Sequence, residues 1–134
     1  MALVENQIGM NGLCLTAGGK TIAIAIEAFS LLWTHSVERT EWREEWRIEG
    51  ERLVIESAFI QGSGAGMEPP AGAIPVKGGW SYHPKREPLE SLDLSRSEFS
   101  PDYQICWKSA CRSISEILPL GPTKLFSCPP ERLR

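Results

Sequence analysis

Nowhere does this chain carry a run of basic residues. Lys and Arg number 14 against 17 Asp and Glu, and the net charge is −3. The basic footprint of a nucleic-acid binder is therefore missing, as is a basic membrane-surface patch. The longest apolar stretch, residues 21–33, is broken by Glu27 and falls short of the roughly 20 residues that span a bilayer as a helix. Residues 1–12 hold no Lys or Arg and no long apolar run. That pattern is not a signal peptide, and it predicts a cytoplasmic protein without a transmembrane segment. The chain has just two histidines, His35 and His83, far apart in sequence, which is not a metal-site pattern. Internal repeats and low-complexity tracts are absent. Neither a metal nor a cofactor is expected.

What is present suits one globular domain. The 134 residues, 42% hydrophobic and 23% charged, predict a single unit over 1–134 with its core in about 12–118. A chain of this size buries enough surface for one sizeable core. Residues 12–17 and 20–26 flank Gly18-Gly19, a dipeptide suited to a two-residue hairpin turn. Ile22, Ile24 and Ile26 alternate with small residues, the period of a strand.

The next three segments specify one another. Phe29, Leu31, Trp33 and His35 share a strand face. Trp42, Glu44, Trp46 and Ile48 share the next, with Arg43, Glu45 and Arg47 on the wetter side. Leu53, Ile55, Ser57 and Phe59 follow after a turn at Glu49-Gly50. If His35 lies opposite Thr40, Trp33 meets Trp42 and Phe29 meets Trp46. If Ile48 lies opposite Leu53, Ile55 follows Trp46 and Phe59 follows Trp42. A slip of one residue would turn the apolar set outward, so this agreement predicts a three-stranded antiparallel meander over 28–61. A helix over 39–52 is the competing reading. Trp42 and Trp46 share a face there too, but it is the weaker reading, because Ile48 leaves that face and the run Leu53-Val54-Ile55 follows too soon.

Residues 62–88 are rich in Gly and Pro. They read as a long loop of the kind that is functional or mobile, with one short strand at 79–83, where Trp80 and Tyr82 cap the core. Residues 89–94 and 103–107 resume the strand pattern. The spacing Ser113-x-x-Glu116 is a capping box that opens a short helix over 113–118, stopped by Pro119. The tail beyond Pro122 reads as irregular. The fold expected is mainly β, an antiparallel sandwich or partly closed barrel with a short C-terminal helix.

Cys14, Cys106, Cys111 and Cys128 allow three pairings. Cys106 and Cys111 flank a four-residue segment and could close a disulfide. Without an export signal, reduced and partly buried thiols are the leading expectation. A four-thiolate zinc site is disfavoured by the spacing.

Two segments carry candidate chemistry. Residues 34–42 hold His35, Ser36, Glu38 and Thr40 at a strand end. Residues 62–70 hold Ser63, Gly64 and Gly66, which read first as a tight chain reversal where side chains will not fit. Their backbone N–H groups could instead form an anion-binding nest, although the Lys-Ser/Thr of a P-loop is missing. His35 beside Ser36 suggests a base and a nucleophile, but neighbours on a strand diverge, and the orienting carboxylate a triad needs would have to come from Glu38 or Glu44. Glu44 stands out as a carboxylate on the tryptophan face, costly unless paired or protonated. That face is a binding surface, or an arginine such as Arg86 covers it, or the register is slightly off and the face half wet. No triad or metal set is complete, so enzyme action is the weaker expectation.

Leu13-Cys14-Leu15, Phe29 through residues 34–38 with Trp42, Glu44 and Trp46, the 62–70 loop, Trp80, and the Cys106 to Cys111 pair with Arg112 together resemble the bacterial domain of unknown function 1850 family. The resemblance implies no established activity. It implies company: members are commonly encoded beside components of TAXI-type tripartite (TRAP) solute transporters. Many relatives begin with a hydrophobic segment, which makes a periplasmic setting the alternative to a cytoplasmic one. The function expected is a non-catalytic accessory or binding module of such a transport system, in contact through His35, Ser36, Glu38, Glu44, Ser63, Gly64 and Gly66. The alternative is a small hydrolase-like enzyme using His35 with Glu38 or Glu44.

Overall fold

Period-two patterning governs the chain throughout, and it folds as two antiparallel sheets. The computed structural model describes residues 10–35, 40–62 and 69–133. The strands are β1 (Gly12–Ala17), β2 (Lys20–Ile24), β3 (Ala28–His35), β4 (Thr40–Glu49), β5 (Arg52–Gln61), β6 (Ile74–Val76), β7 (Gly79–Tyr82), β8 (Leu92–Arg96), β9 (Gln104–Trp107), β10 (Ala110–Ser113) and β11 (Gly121–Cys128). The smaller sheet runs β2-β1-β11-β8, and the larger runs β10-β9-β3-β4-β5-β7-β6. The sheets bury a common core: Leu13, Leu15, Leu94 and Leu125 from one, and Phe29, Leu31, Trp46, Leu53, Ile55 and Ile105 from the other. The architecture is a sandwich rather than a barrel. Among the described residues no helix is long and apolar enough to cross a membrane.

The meander is present in the expected order. Phe29 pairs with Trp46, Trp33 with Trp42 and His35 with Thr40. Ile48 pairs with Leu53, and residues 40–49 are strand, not helix. The third strand departs from the simple register. Glu45 faces Ser57 while Trp46 faces Ile55, so Glu56 is an extra residue in β5. Beyond this bulge Trp42 meets Ile60, not Phe59, and Glu44 meets Ala58, not Ser57. The physical reason lies in the residues: the bulge switches the inward set to Ala58 and Ile60, both buried, and leaves polar Ser57 outside it. A bulge unpairs one residue from the ladder, and here His83 Nδ1–H donates to the Glu56 carbonyl at 2.8 Å.

Other boundaries shift as well. The Gly18-Gly19 turn has φ of +56° and +80°, the two positive values a type I′ hairpin requires, but β2 ends at Ile24. The Gly/Pro-rich loop contains β6 in addition to β7. Leu89 forms a bridge to Leu53, and β8 starts only at Leu92. The short helix expected at 113–118 is a single 3-10 turn, Ile114–Glu116, with Glu116 accepting from the Ser113 N–H at 3.2 Å. The tail expected to be irregular is β11, which lies between β1 and β8 and buries Leu125.

All four cysteines are bonded, Cys14 to Cys128 and Cys106 to Cys111, which corrects the expectation of reduced thiols. Strand register explains both bonds. Cys106 and Cys111 are directly opposed on β9 and β10. Cys128 lies opposite Gly12, two residues from Cys14 on the same face of β1.

Candidate functional site

Strand pairing aligns two rows on the inner face of the larger sheet. One row is Ile105, Leu31, Glu44, Ala58 and Tyr82; the next is Trp33, Trp42, Ile60 and Trp80. Leu31, Ala58, Ile60 and Ile105 are buried. Trp33, Trp42, Trp80, Tyr82 and Tyr103 are half-buried. The indoles of Trp33 and Trp42 stack with centroids 5.0 Å apart, and the Tyr103 ring tilts over Trp33 at 6.3 Å. The result is an aromatic wall with one carboxylate beside it.

Glu44 is that carboxylate. Burial pushes its carboxyl above the usual value, opposed by a hydrogen bond from Trp46 and by the charge of Arg86. Trp46 Nε1 donates to Glu44 Oε1 at 3.0 Å. The Arg86 guanidinium sits 5.9 Å from the Trp46 ring centroid, close enough for a cation–π contact. The loop arginine therefore covers the tryptophan face and offsets the Glu44 charge together. Burial, then the nearby Glu44 charge, raises the phenols of Tyr82 and Tyr103, so both stay protonated and can donate. One polar atom stands apart. Trp42 Nε1 is shielded from solvent without a hydrogen-bond partner among the described residues, and a buried N–H left so costs about 1–3 kcal/mol.

The sequence candidates divide. Glu44 belongs to this cluster. Ser36, Glu38, Ser63, Gly64 and Gly66 lie outside the described residues. His35 closes β3 opposite Thr40, four residues along β3 from Leu31, the partner of Glu44. At the strand rise those backbone rows are about 13 Å apart. His83 is spent on the β5 bulge. Among the described residues no group of three or more His, Cys, Asp and Glu side chains is placed to hold a metal ion.

Sequence reasoning passed over one polar centre. Arg96 has a fully buried side chain and pairs with Asp102 at 2.8 Å. Its remaining N–H groups reach Pro119 O, Thr123 Oγ1 and Leu118 O, with a second bond to Asp102 at 3.0 Å. All five guanidinium donors are used. Burial raises the Asp102 carboxyl, but the Arg96 hydrogen bonds and charge, with backbone N–H groups of Tyr103 and Ser115, hold it below the usual range. The centre fastens β8 to the segments before β9 and β11, and so helps place Tyr103. Its signal was the alternation Leu92, Leu94, Arg96, which puts an arginine next in an inward series.

Compared with known proteins, residues 29–114 match a family model described as Domain of unknown function (DUF1850). No characterised protein and no solved structure matches the chain.

Proposed function

The chain belongs to the DUF1850 family, and on that premise we propose that it is a non-catalytic binding module, accessory to a TAXI-type tripartite (TRAP) solute transport system. The contact surface is the inner face built on Trp33, Trp42, Glu44, Tyr82, Tyr103 and Arg86. The aromatic wall carries this reading: Trp33, Trp42, Trp80, Tyr82 and Tyr103 are left half-buried, with the Trp33 and Trp42 indoles stacked at 5.0 Å, and the phenols and the Arg86 guanidinium supply donors to a bound partner. Half-buried aromatic groups with a polar end are favoured contact residues. The two disulfides support an oxidising setting such as the periplasm.

The test is co-purification of the tagged chain with the membrane and solute-binding components of such a transporter. The wild type captures them, Trp42→Ala loses capture, and His35→Ala weakens it. A wild-type chain that captures no component defeats the proposal.

A further inference from the structure

The two disulfides differ in access. Cys14 and Cys128 are 0% and 1% exposed, shut behind the strand pair that holds them. Cys106 is 6% exposed, while Cys111 lies exposed on β10, an edge strand of the larger sheet. The register sets Glu45, Ser30, Cys106 and Cys111 in one row across the outer face. A cleft of about 350 Å3 opens there, lined by Ser30, Arg43, Glu45, Trp107, Lys108 and both cysteines. The hairpin tip is Lys108-Ser109, at φ of +51° and +66°, values that side-chain-bearing residues seldom adopt.

We infer that Cys106–Cys111 is a thiol–disulfide exchange site, reduced by a partner dithiol that enters the outer cleft and attacks Cys111 Sγ. The attacking sulfur is the partner's thiolate, and a cation beside a thiolate favours that form; Lys108 lines the cleft, where Arg43 is held by Glu45 at 2.6 Å. The new bond joins the partner sulfur to Cys111 Sγ. The Cys106–Cys111 bond breaks, and Cys106 Sγ leaves as a thiolate that takes up a proton. The partner's second thiolate then attacks its own sulfur in the mixed disulfide, and Cys111 Sγ leaves and is protonated. Two electrons and two protons pass to the cysteines, and the partner ends as a disulfide. Attack at Cys111 follows from access, since exchange rates depend on which sulfur can be reached. Cys14–Cys128 has no such approach and stays oxidised. The inference is independent of the contact surface on the other face of the sheet.

The experiment treats the oxidised full chain with limiting dithiothreitol as the dithiol, traps thiols with iodoacetamide over time and maps them by peptide mass spectrometry. Cys106 and Cys111 become labelled at least about tenfold faster than Cys14 and Cys128, as access-controlled exchange requires. Simultaneous labelling of all four, or Cys14 and Cys128 first, overturns the inference. Single variants test the direction of attack. With an aromatic disulfide reagent, the Cys111 thiol of Cys106→Ser reacts faster than the Cys106 thiol of Cys111→Ser. Equal rates, or the reverse order, overturn the assignment to Cys111.

Discussion

Glu44 and Asp102 show how the same side-chain chemistry takes opposite roles. Burial dominates at Glu44 and raises its carboxyl above 4.5. A carboxyl whose folded pKa is raised contributes stability that is fully present below its unfolded value and is lost as pH rises through the folded one. Glu44→Gln keeps an acceptor for Trp46 Nε1 and removes the charge. The variant should be more stable than the wild type at neutral pH, with the difference vanishing below 4.5, read from urea unfolding across that range. At Asp102 the arginine wins and the carboxyl is depressed below 3.8. Its contribution is present above that value and is lost as pH falls through the folded pKa. Asp102→Ala leaves Arg96 buried without its counter-charge, a loss of about 3–5 kcal/mol for an interior pair, measurable as a lower denaturant midpoint. Glu44 could be singled out in the sequence because a carboxylate among tryptophans breaks the pattern. Asp102 could not, because its partner is brought to it by a loop.

At the scale of elements, hairpins were the most legible features. The Gly18-Gly19 turn and the β3–β4 pairing follow from local residues, since turn type and face alternation leave one register. A Cβ on Gly19 meets no atom within 4 Å, whereas one on Gly18 falls 2.8 Å from Pro119 Cγ. Both positions are left-handed. Gly19→Ala should therefore cost only the backbone term, about 1–2 kcal/mol, and Gly18→Ala more, because Pro119 must also move; thermal unfolding of the two variants ranks them. The β5 bulge and β11 were not legible in this way. A bulge obeys the inward choice of Ala58 and Ile60 over Ser57, which depends on what the sheet packs against. β11 exists as a strand because β1 and β8 bond to it on either side. Its own residues include Gly121 and Pro122, which read locally as loop.

For the whole molecule, the matched segment 29–114 runs from the second residue of β3 through β10, and so contributes nearly all of the larger sheet and β8. The remaining strands β1, β2 and β11 complete the smaller sheet. Cys14–Cys128 joins β1 to β11 across 114 residues of sequence, and Cys106–Cys111 spans 5. Loop-closure entropy makes the long bond worth about 5 kcal/mol and the short one about 2. Paired replacement Cys14→Ser with Cys128→Ser should lower stability far more than Cys106→Ser with Cys111→Ser, as seen in guanidinium unfolding under non-reducing conditions. Similar losses would show that loop length does not govern these bonds.

By itself the sequence determined the class of fold, the meander and its aromatic pairs, and the oddity of Glu44, because face alternation and turn chemistry act between residues near in sequence. The tertiary structure alone decided the bulge, the strand identity of the C-terminal segment, the Arg96–Asp102 clamp and the sulfur partners. The C-terminal strand and the Cys14–Cys128 bond join groups more than a hundred residues apart. The clamp needs Leu118, Pro119 and Thr123 brought to Arg96, and the bulge and the Cys106–Cys111 pair follow from strand register. In each, burial and register rather than local preference set the free energy.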